Sequence, residues 1–453
     1  MYYEDVGLYL KDNVLFDLID LCIYKVNEDA INIFNSLYNN LDTSQIEKLK
    51  DYNLIKNTFF SSNRKEKTCK YSDNILNIQI SISNTCNLKC RYCYAKYGNY
   101  GKKDSLMSKN VAYEISNKIK KVFPSVQKIS FFGGEPLMNI DAIETIINTI
   151  SNKNIKYSMV TNGTIMNDRL TEILKENDIK AIISIDGPEE INDLNRVYKT
   201  GGGTYKAIEN NIKKIQDNIG SVGMLAAVYT KPSCLKYSKK EICEFLYNAF
   251  HVKVIGIGNV FTEIEELKLS DNIKKDYEME VKDLVEYTFD KIMNKQFFLI
   301  NEVYDALSAF FNQVSMNEFC GAGTMSLFID EVGNVYPCQL FVGDEEFYMG
   351  NILRNYEKSY EQSDDYISIR NKLKSVQKCS IGKCECCIAK FWCFRCIGQY
   401  KKESNFGACK NINECSYIVD ITTETLNKIA RYMSEGKFDE LIESINYLAS
   451  YTK

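Results

Sequence analysis

The stretch Ile82-Ser-Asn-Thr-Cys86-Asn-Leu-Lys-Cys90-Arg-Tyr92-Cys93-Tyr94 decides the organisation of this chain. Its three cysteines follow the alternating apolar run Ile78-Gln-Ile-Ser-Ile-Ser83, which is typical of a strand end. A loop that leaves a strand can wrap so that three thiolates converge on one centre, one sulfur short of a closed zinc or iron–sulfur site. The fourth ligand is therefore either distant in the sequence or absent, which leaves a position for a substrate or cofactor. Half of a zinc ribbon is the alternative, although ribbons ordinarily use CxxC pairs.

The CxxxCxxC spacing, with Tyr92 just before the third cysteine, resembles the radical SAM enzymes. The resemblance implies that Cys86, Cys90 and Cys93 hold a catalytic [4Fe–4S] cluster. Its open iron would bind the amino and carboxylate groups of S-adenosylmethionine, with Tyr92 beside the cofactor. Electron transfer to the sulfonium would yield a 5′-deoxyadenosyl radical. In such an enzyme the cofactor carries the radical chemistry, and the protein supplies position and shielding.

Composition narrows the function classes. At 453 residues, with 45% apolar and 26% charged residues, the chain predicts two or three globular domains. The net charge of −4 argues against a nucleic-acid partner. No apolar run approaches ~20 residues and the N-terminus lacks a basic-then-apolar signal, so we expect a cytoplasmic protein with no membrane partner. Seventeen cysteines in a reducing compartment indicate metal ligation rather than disulfides, and the single histidine, His251, is interpreted as structural.

Residues 1–60 are interpreted as a unit of their own. Residues 7–10 and 14–26 have the pattern of strands with a turn between them, and helices are predicted over 28–38 and 44–52, each after a capping residue. The pattern resembles the winged-helix-like element with which peptide-modifying systems recognise a precursor. An accessory layer packed on the main domain is the alternative. Because a short sheet with an exposed edge can bind an extended peptide as an added strand, the sequence favours a recognition module.

Strand-like and helix-like segments alternate across residues 74–270. The strand-like runs are 78–83, 128–132, 156–160, 179–185, 222–229 and 252–260. The helix-period stretches between them are 108–122, 140–152, 169–177, 205–217 and 239–250. Repeated strand–helix units predict a parallel α/β sheet or barrel, with the active site at the carboxyl ends of the strands. The six strands match the partial (β/α)6 barrel of the radical SAM family.

Small and polar residues at the strand ends supply the candidate cofactor contacts. The second strand ends in Gly133-Gly134-Glu135-Pro136, which resembles the family's GGEP motif. Two glycines let the backbone approach a ligand closely, and the resemblance implies that Glu135 and this backbone bind the methionine amino group. By the same resemblance Ser184 and Arg196 hold the ribose and carboxylate, and Asn162 joins the cofactor site from the third strand. Asp186 is the further catalytic candidate, expected to face the barrel mouth and to meet the cofactor or the substrate.

Cysteine density rises sharply toward the C-terminus. The order C, GxxxxC, CxxC, a close pair and a last cysteine resembles a SPASM domain, the auxiliary iron–sulfur module of peptide-modifying radical SAM enzymes. The cysteines that fit are Cys320, Cys338, Cys384, Cys387, Cys393, Cys396 and Cys415. Cys393 and Cys396 are separated by two residues, where the family has three. We expect this domain over 318–420, after bridging helices over 271–317 and before closing helices over 421–453. By sulfur count alone a zinc ribbon stays open.

The resemblance also implies how these thiols divide. Two closed [4Fe–4S] clusters need eight thiolates, and the motif supplies seven. The second auxiliary cluster would use Cys384, Cys387, Cys393 and Cys415. The first would use Cys320, Cys338 and Cys396, and would keep an open iron able to bind a substrate cysteine. The spare cysteines that could close it instead are Cys379, Cys386 and Cys409.

These resemblances predict a maturase of the sactipeptide or ranthipeptide type, with three [4Fe–4S] clusters. It would abstract a hydrogen from a ribosomally made precursor peptide, and a cysteine thiolate of that peptide would attack the carbon radical to form a thioether crosslink. An auxiliary cluster would accept the leftover electron. The N-terminal module would hold the leader of the precursor and raise the local concentration of its core. A flavodoxin- or ferredoxin-type electron donor is expected.

Rival hypotheses stand beside this one. A sulfatase-maturing enzyme would oxidise Cys or Ser to formylglycine, and predicts an eighth auxiliary ligand and an acidic base near the substrate. Epimerisation or a carbon–carbon crosslink of the precursor is a nearer variant. A non-catalytic zinc-binding interaction protein belongs to a different class, and the glycine motif and the barrel pattern weigh against it.

Overall fold

Two sheets organise the chain. The computed structural model describes residues 2–3, 8–18, 21–28, 31–32, 55–58, 73–269, 274–296, 299–300, 303–304, 306–307, 311, 317–356, 359–385, 387–390, 392–393, 395–406 and 412–450. Within these ranges, a five-stranded sheet lies at the N-terminus and a ten-stranded sheet carries the rest of the fold. The predicted α/β class with a parallel sheet is confirmed.

The N-terminal sheet is antiparallel throughout. Its strands are β1 (Tyr2–Tyr3), β2 (Leu8–Lys11), β3 (Val14–Asp17), β4 (Cys22–Val26) and β5 (Ile55–Thr58). The apolar run 14–26 forms two strands of a hairpin, and Leu21 takes the left-handed backbone conformation at the turn. The helices predicted over 28–38 and 44–52 lie almost wholly outside the described residues, so the winged-helix assignment stays a prediction.

The barrel is built from six consecutive parallel strands, as predicted. They are β6 (Asn77–Asn84), β8 (Lys128–Gly133), β9 (Lys156–Thr161), β10 (Lys180–Ser184), β11 (Met224–Tyr229) and β12 (Val254–Asn259). A short strand, β7 (Ser105–Leu106), pairs antiparallel with β6. The strands bury isoleucine, phenylalanine and methionine side chains, which supply the apolar contact that a covered parallel sheet needs.

Helices cover the sheet between these strands. They are α1 (Lys109–Val122), α2 (Ile140–Ile150), α3 (Asp168–Glu176), α4 (Glu189–Asn195), α5 (Tyr205–Ile219), α6 (Lys231–Cys234) and α7 (Lys239–Phe250). Ser238 and Glu241 form a reciprocal capping box at the start of α7. His251 ends the same helix in a left-handed conformation, in keeping with its structural interpretation.

Two short additions extend the parallel sheet at opposite edges. At one edge β13 (Leu299–Ile300) pairs parallel with β12. At the other, β14 (Ser326–Ile329) pairs parallel with β6 and then antiparallel with β15 (Val335–Tyr336). The cysteine-rich region therefore shares a sheet with the first barrel strand.

The remaining helices lie in the C-terminal half. They are α8 (Lys274–Met293), α9 (Asp364–Lys374), α10 (Gly382–Glu385), α11 (Ile397–Ser404), α12 (Ile412–Ser434) and α13 (Phe438–Ser450). The helix α12 runs from Ile412 to Ser434 across the predicted limit at 420, and the domain limits stay predictions. Tyr9 of the N-terminal sheet donates its hydroxyl to Asn427 of α12 at 2.5 Å. No helix in the described part of the chain combines the length and apolar content needed to cross a bilayer.

Candidate active site

The CxxxCxxC segment leaves β6 at the carboxyl edge of the parallel strands. The backbone N–H of Leu88 donates to Cys86 Sγ at 3.4 Å, and Asn162 Nδ2 reaches the same sulfur at 3.6 Å. Burial raises the pKa of Cys86 to about 12, and the thiol of Cys90 acts in the same direction. Cys93 in turn raises the pKa of Cys90, after burial. The three thiols are therefore neighbours, and donors point at a sulfur as they would toward a metal-bound thiolate.

Among the described side chains, no set of three or more histidine, cysteine, aspartate or glutamate residues forms a site for a single metal ion. The fit of the thiols to larger clusters therefore rests on which thiols lie beside one another. An iron–sulfur cluster needs three or four thiolates around a cage of several irons. The loop Cys86–Cys93 supplies three of them from one turn of chain, which fits such a cluster with one open iron.

Tyr92, Asp186 and Arg196 form a buried network beside this loop. The Tyr92 hydroxyl lies 2.9 and 2.7 Å from the two oxygens of Asp186, and Arg196 Nη1 donates to that hydroxyl at 2.6 Å. Arg196 also lies 3.7 Å from Asp186, whose side chain is 0% exposed. Burial opposes the charge on Arg196, but Tyr92, Cys90 and Asp186 together raise its pKa. Asp186 is thus enclosed by Tyr92 and Arg196 in this structure, and its predicted catalytic role at the barrel mouth stays a prediction.

Glu135 ties the ends of two strands together. Its Oε1 accepts hydrogen bonds from Thr161 Oγ1 at 2.7 Å and Leu137 N at 3.0 Å, and its Oε2 accepts from Asn162 N at 2.7 Å. Burial raises the pKa of this carboxyl, while these donors act against the rise. Pro136 begins the short turn that follows. The predicted contact with the methionine amino group stays a proposal, and the observed bonds fix β8 against the segment after β9.

The two glycines of the motif lie against the backbone that enters the cysteine loop. A Cβ on Gly133 would lie 2.3 Å from Ser83 O, and one on Gly134 would lie 2.1 Å from Thr85 O and 3.0 Å from Cys86 N. Gly134 N also donates to Ser83 O at 2.7 Å. These glycines therefore let the motif lie directly against the backbone that leads into the cysteine loop, and their predicted contact with a ligand stays a prediction.

The other predicted cofactor contacts lie at neighbouring strand ends. Ser184 is the last residue of β10, and it is half-buried. Asn162 follows β9 and donates from Nδ2 to Asn87 Oδ1 at 2.8 Å, besides its contact with Cys86. Both residues face the edge that carries the cysteine loop, and Asn162 is engaged with that loop itself.

Three C-terminal thiols come together beside the sheet extension. Burial raises the pKa of Cys338 to about 12, and the thiols of Cys396 and Cys320 act in the same direction. Cys320 precedes β14, Cys338 follows β15, and Cys396 caps the start of α11. The structure thus brings together the trio assigned to the first auxiliary cluster. Cys379 is exposed, and its Sγ lies 3.0 Å from Asn317 Nδ2. Cys386 and Cys409 lie outside the described residues.

In the second predicted set, Cys387 and Cys393 are neighbours, and the place of Cys415 beside them stays a prediction. Burial raises the pKa of Cys387, and Cys393 acts in the same direction. Arg395 Nη1 donates to Cys415 Sγ at 3.3 Å and its Nη2 pairs with Glu403. The buried Arg395 therefore connects the segment after Cys393 to the last motif cysteine. The spacing of the cysteines in the sequence gives no reason to single out this arginine.

Tyr94 and Tyr100 lie between the two thiol regions, which the sequence also did not indicate. Their ring centroids are 6.3 Å apart. Burial raises the pKa of Tyr100, and the thiols of Cys93 and Cys338 act in the same direction. Tyr100 therefore lies close to both the cysteine loop of the barrel and the first C-terminal trio.

Comparison with protein families gives two matches along the chain. The radical SAM superfamily matches residues 80–230, and the SPASM iron–sulfur cluster-binding domain matches residues 320–388. An uncharacterised protein of Methanocaldococcus jannaschii is 31% identical over 278 residues, covering 60% of this chain and 87% of the relative. The radical SAM cyclopropyl synthase of Paramaledivibacter caminithermalis is 25% identical over 393 residues, covering 77% and 74%. A cysteine-type anaerobic sulfatase-maturating enzyme of Clostridium novyi is 29% identical over 311 residues, covering 60% and 79%.

Solved structures share the fold. The enzyme anSMEcpe with bound AdoMet superposes with a TM-score of 0.66 at 21% identity, covering 79% of this chain and 100% of that one. Streptococcus suis SuiB bound to its precursor peptide SuiA gives a TM-score of 0.54 at 18% identity, covering 91% and 98%. The parallel sheet, the cysteine loop on its carboxyl edge and the C-terminal thiols agree with these matches. The chain belongs to the radical SAM superfamily and carries a SPASM iron–sulfur cluster-binding domain.

Proposed function

We propose that this protein is a peptide maturase that forms a cysteine thioether crosslink in a ribosomally made precursor. The observation that carries the proposal is the trio Cys320, Cys338 and Cys396, gathered beside the sheet that bears the cysteine loop. The neighbouring Cys379 is turned to Asn317 at the surface. Among the described cysteines the trio is a three-thiol site, and we propose that a thiolate of the substrate completes its ligand set.

The donor sets fit iron–sulfur clusters at three places. Cys86, Cys90 and Cys93 would hold the first, the trio would hold the second, and Cys384, Cys387, Cys393 and Cys415 the third. S-adenosylmethionine bound at the barrel supplies, on one-electron reduction, a radical that removes a hydrogen atom from substrate. Formation of one carbon–sulfur bond would remove two hydrogens from the peptide. The hydrogen on carbon would leave as an atom with the 5′-deoxyadenosyl group and the thiol hydrogen as a proton, and the one electron left over would pass to an auxiliary iron–sulfur cluster.

The chain's own residues position and shield this chemistry. Arg196, held by Tyr92 and Asp186, is proposed to face the carboxylate of the cofactor, and Ser184 its ribose. Glu135 and the backbone around it are proposed to receive the amino group. The backbone of the GGEP motif packs directly against the cysteine loop. The residues proposed to bind the cofactor and those proposed to bind the cluster are therefore held in a fixed relative position. The cysteine-rich region covers the first strand's edge and restricts water there.

The N-terminal sheet is proposed to recognise the leader of the precursor. Its two outermost strands, β1 and β5, offer the backbone edges to which an extended peptide can add. The hydroxyl of Tyr9 binds the sheet to α12, which carries Cys415, so a captured leader would be held near the modifying domains. Domain limits of 1–60, 74–270 and 318–420 are kept as proposals. We also propose a cytoplasmic location and a flavodoxin- or ferredoxin-type donor.

Anaerobic reconstitution with a cysteine-bearing precursor peptide tests the function. With S-adenosylmethionine and a reductant, we expect 5′-deoxyadenosine and a peptide lighter by two hydrogens per crosslink. Alkylation of free thiols before and after reaction should show one thiol lost per event. The control is the variant Cys86→Ala/Cys90→Ala/Cys93→Ala, which should give neither product.

Other outcomes would favour the rival reactions. A cysteine converted to an aldehyde would indicate formylglycine formation, the activity named for the Clostridium novyi relative. Uptake of solvent deuterium without a mass loss would indicate epimerisation. Loss of two hydrogens with every thiol still free would indicate a carbon–carbon crosslink.

A further inference from the structure

Lys378 occupies a buried position between the two C-terminal thiol sets. It is 1% exposed, and its backbone N–H donates to Asn317 O at 2.8 Å, close to Cys320 in sequence. Its ammonium donates to Lys390 O at 2.8 Å, in the loop between Cys387 and Cys393. The side chain therefore reaches from the segment that begins one thiol set to the segment that carries the other.

The electrostatic neighbours of this ammonium belong to both sets. Burial lowers the pKa of Lys378 to about 8, whereas the thiols of Cys393, Cys384 and Cys387 act in the opposite direction. Burial raises the pKa of Cys320, and the Lys378 cation acts against that rise. One cation is thus close to three thiols of the second set and to one thiol of the first.

Other charged groups also act at this position. Glu318 acts on Lys378, and the ring of Phe319 lies 5.7 Å from its ammonium. The Lys390 cation, like that of Lys378, opposes the rise that burial causes in the pKa of Cys387. The buried Arg395 pairs with Glu403 and donates to Cys415. Thiolate-ligated clusters are anionic and become more so on reduction, and a buried cation interacts strongly with such charge.

We propose that Lys378 is a shared counter-ion of the two auxiliary clusters and favours the reduced state of both. The inference rests on the proposed division of the thiols into two cluster sites. Its ammonium offsets the repulsion between two anionic groups buried near each other. An electron placed on either cluster is stabilised by the same cation, so both reduction potentials depend on one side chain.

The test measures potentials rather than turnover. In the Cys86→Ala/Cys90→Ala/Cys93→Ala background only auxiliary clusters can form, and iron and sulfide are counted after anaerobic reconstitution. Their midpoint potentials are then read by electron paramagnetic resonance during a dithionite titration. The variants are Lys378→Met, which keeps the length and removes the charge, and Lys378→Arg, which keeps the charge. Lys374→Met is the matched control, because Lys374 is at the surface and pairs with Asp73.

Lys378→Met is expected to hold the same amount of iron as the parent. Both midpoint potentials should fall by about 59 mV, which is a roughly tenfold shift of a one-electron equilibrium toward the oxidised cluster. Lys378→Arg and Lys374→Met should stay near the parent. If Lys378→Met loses iron from both sets while Lys378→Arg keeps it, the counter-ion is needed for assembly and the proposal stands. Unchanged potentials, a shift confined to one couple, or equal iron loss in both Lys378 variants would overturn it. A parent chain without auxiliary iron would instead refute the thiol assignment, and the inference with it.

Discussion

The hydroxyl of Tyr92 lies within hydrogen-bond distance of both carboxylate oxygens of Asp186, at 2.9 and 2.7 Å. Tyr92 belongs to the cysteine loop and Asp186 to the segment after β10, so this pair joins the first and fourth strand ends of the barrel. Arg196 completes the network from the end of α4. The geometry of the cysteine loop and that of the candidate carboxylate-binding arginine are therefore set by one carboxylate.

Replacing Asp186 by asparagine should disturb both the cysteine loop and the position of Arg196. The substitution leaves Arg196 as a buried cation without its carboxylate, which typically costs about 3 kcal/mol or more. We expect weaker S-adenosylmethionine binding, by about tenfold or more, and a lower denaturation midpoint. Equilibrium dialysis on the reconstituted protein measures the first, and anaerobic urea unfolding the second. Asp178→Asn, at an exposed pair with Lys180, is the control. Unaltered affinity and stability in Asp186→Asn would contradict the positioning role.

Glu135→Gln should destabilise the barrel. The amide NH2 would face either the Asn162 N–H or the pair of donors at Oε1, so one buried donor loses its acceptor. The expected loss is about 1–3 kcal/mol in the free energy of unfolding. Urea denaturation followed by circular dichroism measures it, and Glu172→Gln on the exposed face of α3 serves for comparison. Equal stability of the two variants would rule out this account of Glu135.

Gly134→Ala should prevent assembly of the cluster assigned to Cys86, Cys90 and Cys93 and leave the two auxiliary clusters in place. The added Cβ meets Thr85 O and Cys86 N, which are backbone atoms that cannot turn aside. We expect iron to fall by about four per chain from about twelve in the parent. Gly258→Ala is the control, since its Cβ has open space around it. Full iron in Gly134→Ala would show that the cysteine loop tolerates displacement.

Single cysteine variants should separate the two auxiliary sets. Cys338→Ala is expected to change the signal of one cluster and Cys387→Ala that of the other, because the neighbours of Cys338 are Cys320 and Cys396 and the neighbour of Cys387 is Cys393. Each variant should lose up to about four irons, and the double variant up to about eight. Exposed Cys379→Ala should lose none. Loss of iron in Cys379→Ala would mean that this thiol closes the first set.

Stability should depend on pH through the buried carboxyls of the β14–β15 turn. Burial and then the neighbouring Asp330 raise the pKa of Glu331, whose ordinary value is 4.5. Between that value and the raised one the folded state binds more protons than the unfolded state, so the free energy of unfolding falls as pH rises. Glu331→Gln should therefore become more stable than the parent as pH rises through this window, and keep a constant advantage in the free energy of unfolding above it.

Thermal unfolding at a series of pH values from 4 to 8 measures this difference. Glu114→Gln, an exposed position on α1, should run parallel to the parent throughout. A Glu331→Gln curve that also stays parallel to the parent would refute the argument. Ser105 Oγ donates a hydrogen bond to Glu331 at 2.9 Å. The variant keeps this bond, because the glutamine carbonyl can still accept it.

The barrel and its cysteine loop could be predicted because local pattern and chemistry coincide there. Six apolar runs spaced by helical periods specify parallel strands, and the predicted α7 agrees with the observed one from Lys239 to Phe250. Cysteine spacing similarly indicated the SPASM region, while the division of its thiols into two sets stays a prediction. The pairing of β14 with β6 could not be foreseen, since a four-residue strand gives no sign of a partner so distant in sequence.

Individual side chains around the thiols were also beyond prediction. Lys378 and Arg395 are two of many basic residues near the cysteines, and only the folded chain shows that these two are buried. That Asp186 follows a strand predicts its place at the carboxyl edge, but nothing in the sequence indicates that the Tyr92 hydroxyl and Arg196 enclose it. The start of α12 at Ile412 lies before the predicted start of the closing helices at 421, because helix-forming residues already begin ahead of Cys415.

The parallel pairing of β6 with β14 has a consequence for synthesis. A ribosome that adds about 5–20 residues per second reaches Ser326 on the order of tens of seconds after Asn77. Throughout that interval the outer edge of β6 lacks the partner that later covers it, and an open edge invites pairing with other chains. We therefore expect truncation before the hairpin to leave this edge open and to give insoluble material, even where the barrel sequence is intact.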